Sequence, residues 1–253
     1  MPRPAPDRLV ERFRAARGDS GLAVLEGFHA LKHALRFGAE VELVAAADPE
    51  ALERLAAELA PDLAGRFAAL AQPLDAAELA RLAPRAPRTQ VLAIARRPPV
   101  GAPGAGPVVL LEDPRDLGNV GAVVRVAAAA GAAAVLTSGT HDPWDPAALR
   151  GSAGLHYALP VGRAREDLLG DRPLLALDPD GDVLDPAGLP ASAVLAFGTE
   201  RHGLSDALLA RADARLRLPM RAGVSSLNLA TAVSAVLFAW RLSGDAGVSA
   251  PSA

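Results

Sequence analysis

The sequence predicts an α/β protein with a mostly parallel sheet that helices cover on both faces. Short apolar runs such as "PVVLLED" and "AAAVLTS" alternate with helical segments along the second half of the chain, which favours parallel strands joined by crossover helices. The run "SSLNLATAVSAVLFAWRL" is apolar on nearly every side and predicts a buried helix. The 253 residues, 51% hydrophobic and 22% charged, suffice for one large domain or two smaller ones.

The first part of the chain carries a smaller α/β pattern. The strand-like "LAVLEG" precedes the helical "FHALKHALRFG", and "VELVAAA" and "QVLAIA" are further strands. Asp48 and Pro49 stand where the N-cap and first residue of a helix are expected, and "DAAELARLA" predicts another short helix. The stretch "ARRPPVGAPGAGP" is typical of a linker. We therefore predict a first domain at residues 1–97, a linker at 98–107 and a second domain at 108–245.

The second domain is predicted from four further segments. The helical "GNVGAVVRVAAAAG" should end at Gly131, which is suited to a helix C-terminus. The runs "PLLALD", "AVLAFG" and "ARLRLPM" supply additional strands. Ser205 is expected to cap the helix that follows the second of these runs.

Composition excludes several kinds of site. The chain has no cysteine, so disulfides, thiolate nucleophiles and Cys-based zinc sites are excluded. The chain has five histidines, and we expect no metal. The N-terminal segment lacks the apolar core of a secretory signal, and no charge-free apolar run approaches the length of a membrane span. We expect a cytoplasmic protein with no membrane partner.

Charge is distributed unevenly along the chain, although the net charge is only −3. Residues 1–36 hold seven basic and four acidic residues, whereas residues 99–253 hold twelve basic and sixteen acidic ones. This asymmetry is compatible with an N-terminal part that contacts phosphates. Arginine-rich surface helices without any such role would produce the same counts.

Three polar or glycine-rich loops follow predicted strands, where ligands bind in open α/β sheets. In the first, "LEDPRDLGNVGAVVRVA", Asn119 stands where a helix should begin, and capping is its ordinary role. Arg125 lies among valines and alanines, where a permanently charged guanidinium must pair, reach solvent or bind a ligand. We expect it to be buried beside a ligand.

The second and third loops offer further polar groups. In "FGTERHGLSDAL", Gly198 lets the backbone approach a ligand and Glu200 follows it, although an ordinary turn with a surface carboxylate is the alternative. His202 is either a base or simply solvated. In "LPMRAGVSSLNLATA", we expect Ser225 or Ser226 to cap the last helix, which leaves one hydroxyl and the amide of Asn228 for a ribose or a phosphate.

The three loops, in this order, resemble the signature motifs of the SpoU, or TrmH-like, family of RNA 2′-O-ribose methyltransferases. "LGNVGAVVRVAAAAG" places Asn119 and Arg125 at the asparagine and arginine of the first motif, and "FGTERHGLS" places Gly198 and Glu200 at the G-x-E of the second. "LPMRAGVSSLNLATA" resembles the third motif and matches it at Pro219, Met220, Ser226, Leu227 and Asn228. One departure is Ala222, where the family usually has glycine.

The resemblance implies a SPOUT fold with a deep trefoil knot, a feature otherwise close to absent from proteins. It implies a small ribosomal-protein-like domain that binds the RNA substrate, and a homodimer in which the catalytic arginine acts at a site completed by the partner. It also implies S-adenosyl-L-methionine as cofactor, in contact with Gly198, Leu218, Met220 and Leu227. The residues it assigns to the reaction are Asn119, Arg125, Glu200, Ser226 and Asn228.

The expected function is therefore S-adenosylmethionine-dependent 2′-O-ribose methylation of RNA, with 23S ribosomal RNA favoured over tRNA because of the added N-terminal domain. The family's arginine is held to take the proton, but a guanidinium that stays charged is better suited to holding a phosphate or stabilising an alkoxide. The alternatives are a tRNA methyltransferase and a non-catalytic RNA-binding protein of the same fold. A nucleotide-binding oxidoreductase is disfavoured because the G-x-G-x-x-G fingerprint is incomplete.

Overall fold

The chain forms two compact units, which a computed structural model describes over residues 6–83, 87–199 and 202–245. The first unit contains the residues up to Pro99 together with the short segment Ala153–Ala158. The second unit contains Val100–Ser152 and the residues from Leu159 onwards. The domain limits expected from the sequence stay a prediction.

The first unit contains a mixed four-stranded sheet. Its strands are β1 (Leu22–Glu26), β2 (Val41–Ala46), β3 (Ala71–Pro73) and β4 (Val91–Arg96), in the order β1-β4-β2-β3. Strands β1 and β2 run antiparallel to β4, and β3 runs parallel to β2. The helices are α1 (Pro6–Gly18), α2 (Phe28–Arg36), α3 (Pro49–Leu59), α4 (Ala64–Leu70) and α5 (Ala76–Leu82), with 3-10 turns at Pro61–Leu63 and Leu155–Tyr157.

Local sequence signals position these helices. The Asp48 side chain accepts a hydrogen bond from the Ala51 amide at 2.9 Å, and Pro49 begins α3, as predicted. Asp75 and Glu78 form a capping box at the start of α5. The predicted strands and the helices α2, α3 and α5 are confirmed, whereas β3 and α4 are too short to show a periodic pattern.

The second unit contains a six-stranded sheet in which every adjacent pair of strands is parallel. Its strands are β5 (Val108–Leu111), β6 (Ala134–Thr137), β7 (Val161–Arg163), β8 (Leu174–Val183), β9 (Val194–Phe197) and β10 (Ala214–Arg217), in the order β10-β8-β9-β5-β6-β7. The predicted parallel α/β fold is confirmed, and β7 is a short edge strand that the sequence pattern misses. The trefoil knot and the ribosomal-protein-like character of the first unit stay predictions.

The sequence predicts three of the five α-helices that the structure describes in the second unit. The five helices are α6 (Leu117–Ala130), α7 (Pro146–Ser152), α8 (Glu166–Leu169), α9 (Asp206–Arg211) and α10 (Leu229–Asp245), with a 3-10 turn at Pro186–Gly188. The sequence misses the short α7 and α8. Gly131 ends α6 in the left-handed conformation, and Ser205 caps α9 by accepting a hydrogen bond from the Leu208 amide at 3.2 Å. No helix in the described parts of the chain is long and apolar enough to cross a membrane.

Both faces of the six-stranded sheet are covered. Val108, Leu110 and Leu136 form one buried cluster with side chains of α8 and α9, such as Leu168. The intervening residues of the same strands, including Val109 and Leu111, are also fully buried. Strands buried on both faces explain the continuous apolar runs from which the parallel sheet is predicted.

Helix α10 is not buried on all sides within a single chain, contrary to the prediction. Val233, Val236 and Leu237 are buried, and α10 packs against α6. On the other side Phe238 is 39% exposed and Leu242 is 68% exposed. The helix is apolar all round because one face serves the core of the chain and the other presents an apolar surface to its outside.

Part of the predicted linker is held firmly to the second unit by Arg172. Its guanidinium donates to the carbonyl oxygens of Pro103 and Gly104, at 3.2 and 2.7 Å, and to that of Gly106 at 2.9 Å. A further donation reaches the Ser192 carbonyl at 2.9 Å. A single charged side chain therefore satisfies carbonyl groups in a segment that forms no helix or strand.

Replacing Arg172 by alanine should lower the free energy of unfolding of the second unit by about 1–3 kcal/mol, because four carbonyl oxygens lose a charged donor. Both tryptophans, Trp144 and Trp240, lie in this unit, so urea unfolding followed by tryptophan fluorescence reports on it. The control is Arg165→Ala, whose partner Asp167 is an exposed neighbour, and its urea midpoint should equal that of the wild type. If both variants unfold at the wild-type midpoint, the Arg172 contacts contribute no stability.

Candidate functional site

A cavity of about 360 Å³ lies where β9 and β10 end and where β8, which lies between them in the sheet, stops pairing with β9. The three strands are parallel, so these points meet at one edge of the sheet. The volume is in the range of small-molecule sites. Most of the lining side chains are apolar: Leu177, Pro179, Phe197, Leu216, Leu218, Met220, Leu227, Leu229 and Ala232.

The residues predicted to contact a cofactor all line this one cavity. Gly198 comes from the loop after β9, and Leu218, Met220 and Leu227 come from the segment between β10 and α10. Ser226 lines the same cavity. The second and third motifs are therefore brought together, although they lie on different loops.

Gly198 is required by a tight reversal of the chain. A Cβ atom at this position would lie only 2.0 Å from the carbonyl carbon of Gly203. The backbones of Thr199 and Gly203 exchange hydrogen bonds at 3.1 and 3.0 Å, which closes the loop on itself. Any other residue would therefore displace backbone rather than a flexible side chain. Glu200 lies outside the described residues, and His202 in the same loop is exposed.

Asn228, not either serine, caps the last helix. Its side-chain oxygen accepts hydrogen bonds from the amides of Ala230 and Thr231 at 3.0 and 3.3 Å. The prediction that Ser225 or Ser226 performs this role is therefore wrong. Helix α10 begins at Leu229, so the residue immediately before it is in the capping position. Both serines instead line the cavity and are exposed.

Asn119 does not cap its helix either. Helix α6 begins two residues earlier, and the Asp116 side chain caps it by accepting from the Asn119 amide at 3.1 Å. The Asn119 side-chain oxygen accepts a hydrogen bond from the Asn228 amide nitrogen at 3.0 Å. The two predicted asparagines thus bind each other and connect the N-terminal ends of α6 and α10.

Arg125 is exposed, and it does not line the cavity. The expectation that it is buried is wrong because the helical period places Val120, Val124 and Ala127 towards the core and Arg125 away from them. Six residues separate it from Asn119, about 9 Å along the helix axis. Among the residues that the structure describes, Arg125 has no hydrogen-bond or ion-pair partner.

Sequence reasoning missed two charged residues of the cavity, Asp178 and Arg217. Asp178 lies within β8, directly after the apolar "LLAL" and after the last residue that pairs with β9, and so lies at the edge of the sheet where ligands bind. It was missed because the predicted strand "PLLALD" ends at Asp178 and no hydroxyl side chain follows it in "PDGDV". Sequence reasoning also missed Glu112. Its carboxylate accepts hydrogen bonds from the backbone amide and the hydroxyl of Ser205, both at 2.7 Å. These bonds connect the loop after β5 to the start of α9.

Residues 106–238 match the SpoU rRNA Methylase family. The chain belongs to this family. The match covers the three motif loops and the cavity, and it confirms the resemblance predicted from them. An uncharacterised tRNA/rRNA methyltransferase of Mycobacterium bovis is 35% identical over 211 residues, which cover 76% of this chain and 73% of the relative.

Two further proteins are similar to nearly the whole chain. A 23S rRNA (adenosine(1067)-2′-O)-methyltransferase of Streptomyces azureus is 27% identical over 249 residues, which cover 92% of this chain and 91% of the relative. The crystal structure of an AdoMet-bound rRNA methyltransferase from Sinorhizobium meliloti superposes with a TM-score of 0.74 at 25% identity, over 95% of this chain and 97% of that one. The SpoU relatives therefore share both units.

Replacing Asn228 by alanine should lower the free energy of unfolding of the second unit by about 1–2 kcal/mol, because α10 loses its cap. Asn228→Asp retains an oxygen acceptor for the helix amides but loses the donor to Asn119, so it should unfold close to the wild type. Urea unfolding followed by tryptophan fluorescence measures both variants. Ser225→Ala serves as the matched control, and a larger loss of stability in this variant than in Asn228→Ala would contradict the assignment of the cap.

Proposed function

We propose that this chain is an S-adenosylmethionine-dependent RNA 2′-O-ribose methyltransferase that acts on 23S ribosomal RNA. The observation that carries the proposal is the single cavity in which the second and third SpoU motifs meet. Relatives that span both units are named 23S rRNA 2′-O-methyltransferases, which favours this substrate over tRNA. Because ribosomal RNA is the proposed substrate, the proposed compartment is the cytoplasm.

The cavity fits the proposed cofactor. Its apolar walls suit an adenine ring, and Gly198, Leu218 and Leu227 would hold the adenosine part, with Met220 beside them. Bound S-adenosylmethionine supplies a methyl group on a sulfonium sulfur, which an oxygen nucleophile attacks without further activation of the donor. The protein's task is then to place the ribose hydroxyl in line with that methyl group.

The chain's own polar residues are suited to this placement. The exposed hydroxyl of Ser226 lines the cavity and can bind the ribose. The hydrogen-bonded pair of Asn119 and Asn228 keeps the start of α10, and with it Ser226, in a defined position. Glu200, the acidic residue of the second motif, keeps the part in the reaction that the resemblance implies. Arg125, which stays cationic, would hold a phosphate and stabilise charge on the attacking oxygen.

We further propose that the protein acts as a homodimer, because Arg125 does not reach the cavity of its own chain. Helices α6 and α10 pack on each other and share an outer surface. This surface includes Arg125 and Ala129 of α6, and Phe238 and Leu242 of α10, all of which are exposed. An apolar surface beside an arginine without a described partner is the expected appearance of an interface that also completes an active site.

Changing both Phe238 and Leu242 to glutamate should convert the dimer to a monomer, because two charges would have to be desolvated in the interface. Size-exclusion chromatography with light scattering measures the mass. Methyl transfer should be lost together with dimerisation. Leu59→Glu, at an exposed leucine of the first unit, is the control and should change neither. A wild-type chain that is monomeric while active would contradict the proposal.

Arg125→Ala should reduce methyl transfer at least about a hundredfold, the usual effect of removing one charge-stabilising donor. S-Adenosylmethionine binding should stay at the wild-type value because Arg125 does not line the cavity. Transfer is measured with labelled cofactor and binding by calorimetry. Wild-type turnover in this variant would remove Arg125 from the reaction.

The proposed RNA-binding role of the first unit rests on fewer cations than the sequence suggests. Arg12 pairs with Glu42, Arg17 with Glu26 and Arg36 with Asp62, the last two at 3.2 and 2.6 Å. The exposed arginines without a described partner are Arg8, Arg14 and Arg88. These three are the side chains we propose for phosphate contacts.

The deciding experiment maps 2′-O-methyl groups in unmodified 23S rRNA, 16S rRNA and tRNA after incubation with the protein and labelled S-adenosylmethionine. A single modified position in 23S rRNA is the expected result. Modification of tRNA alone would make the substrate assignment wrong. Cofactor binding without transfer to any RNA would favour the non-catalytic RNA-binding protein, and failure to bind the cofactor would remove the proposed function altogether.

A further inference from the structure

Two of the described residues that line the cavity are charged, and their charges are opposite. Asp178 contributes a carboxylate and Arg217 a guanidinium, whereas the remaining lining residues are apolar or uncharged. Charged groups in a largely apolar cavity are costly unless a partner compensates them. No ion pair joins Asp178 or Arg217 to any residue within the described ranges.

Asp178 enters the cavity on an irregular part of β8. On the side of β9, the pairing of β8 ends with Leu177 opposite Phe197. On the side of β10, Arg215 pairs with Ala176, but the next residue, Leu216, pairs with Asp182. Residues 178–181 therefore form an excursion from the sheet at the edge where the cavity lies. Within it, the Asp178 carboxylate accepts from the Asp180 amide at 2.8 Å, which fixes the turn.

Arg217 holds the other end of this excursion. Its Nε donates to the Gly181 carbonyl oxygen at 3.0 Å. Gly181 lies so close to β10 that a Cβ atom would be 2.5 Å from the Arg215 carbonyl carbon. The two charged residues are thus positioned by one anchored turn. The terminal guanidinium nitrogens of Arg217 make no hydrogen bond to the described residues.

We propose that Asp178 and Arg217 bind the amino-acid end of S-adenosylmethionine, Asp178 its α-ammonium group and Arg217 its α-carboxylate. This inference rests on the proposed function. The amino-acid end carries neighbouring positive and negative groups, and the cavity offers a carboxylate and a guanidinium that are not paired with each other. Charge-assisted hydrogen bonds of this kind are the stronger ones, and a guanidinium matches a carboxylate with two parallel donors.

The ribose is the other polar part of the cofactor, and it matches Asp178 and Arg217 less completely. The ribose hydroxyls can hydrogen-bond to either side chain, but they are neutral and compensate neither charge. The zwitterion uses both side chains. The two residues would therefore determine specificity by recognising the amino-acid end of the ligand, while the apolar wall recognises the adenosine.

Two thioether ligands distinguish binding of the amino-acid end from binding of the ribose. S-Adenosylhomocysteine and 5′-methylthioadenosine share the adenosine and a neutral sulfur, and of the two only the first carries the amino-acid end. In Asp178→Asn, affinity for S-adenosylhomocysteine should fall about tenfold to a hundredfold, and affinity for 5′-methylthioadenosine should be unchanged. Titration calorimetry on the full chain measures both. Asparagine keeps an oxygen acceptor for the Asp180 amide, so the turn is preserved.

Arg217 is tested by a second ligand pair, S-adenosylmethionine and its decarboxylated form. Arg217→Gln should lower the affinity for S-adenosylmethionine about tenfold to a hundredfold. The affinity for the decarboxylated form should be unchanged. Comparing two ligands on one variant cancels any effect of losing the Gly181 contact. Asp180→Asn, an exposed change in the same excursion that does not line the cavity, is the control and should alter none of the affinities.

Three results would overturn the inference. Equal weakening of both thioethers by Asp178→Asn would place Asp178 on the ribose, and unchanged binding of both would give it no role. Weakening of S-adenosylmethionine without weakening of S-adenosylhomocysteine would place it beside the sulfonium. Each of these results leaves the proposed function standing, whereas a wild-type chain that binds neither S-adenosylmethionine nor S-adenosylhomocysteine would remove the function first.

Discussion

The hydrogen bonds of the Asn228 side chain are the interaction on which the site depends. Its oxygen accepts from two amides of α10 and its nitrogen donates to Asn119 of α6. A segment of mostly exposed residues connects β10 to α10 and borders the cavity. Asn228 caps α10 at the end of that segment, so neither Ser225 nor Ser226 is needed as the cap. Both serines line the cavity instead.

The cavity and the arginine of the first motif divide the proposed chemistry between two surfaces. The cavity is largely apolar, and its two charged residues lie on the irregular part of β8 and at the end of β10, which is suited to holding a small zwitterionic ligand. Arg125 is exposed on α6, the helix that packs against α10. Under the proposed dimer, pairing of two chains would cover the apolar face of α10 and bring the charge to a reaction site, so assembly and activity would depend on one surface.

Counts of charge along the sequence overstate the cationic surface of the first unit. Several of its arginines are held by carboxylates of the same unit, as in the pair of Arg17 and Glu26 at 3.2 Å. Others donate to carbonyl oxygens, as Arg66 does to Leu35 at 2.8 Å. The sequence counts each of these side chains as a free positive charge, and only their neighbours in space show otherwise.

What the sequence by itself determined is local or periodic: the parallel strands, the caps at Asp48 and Ser205, the helix end at Gly131, and the motifs that mark the family. What the tertiary structure decided depends on residues far apart in the chain. Asn119 and Asn228 meet across 109 positions, and Asp178 and Arg217 line one cavity where β8 pairs irregularly with β10. A side chain's partners, and hence its burial and role, follow from packing in three dimensions, whereas strand and helix signals act within a few residues.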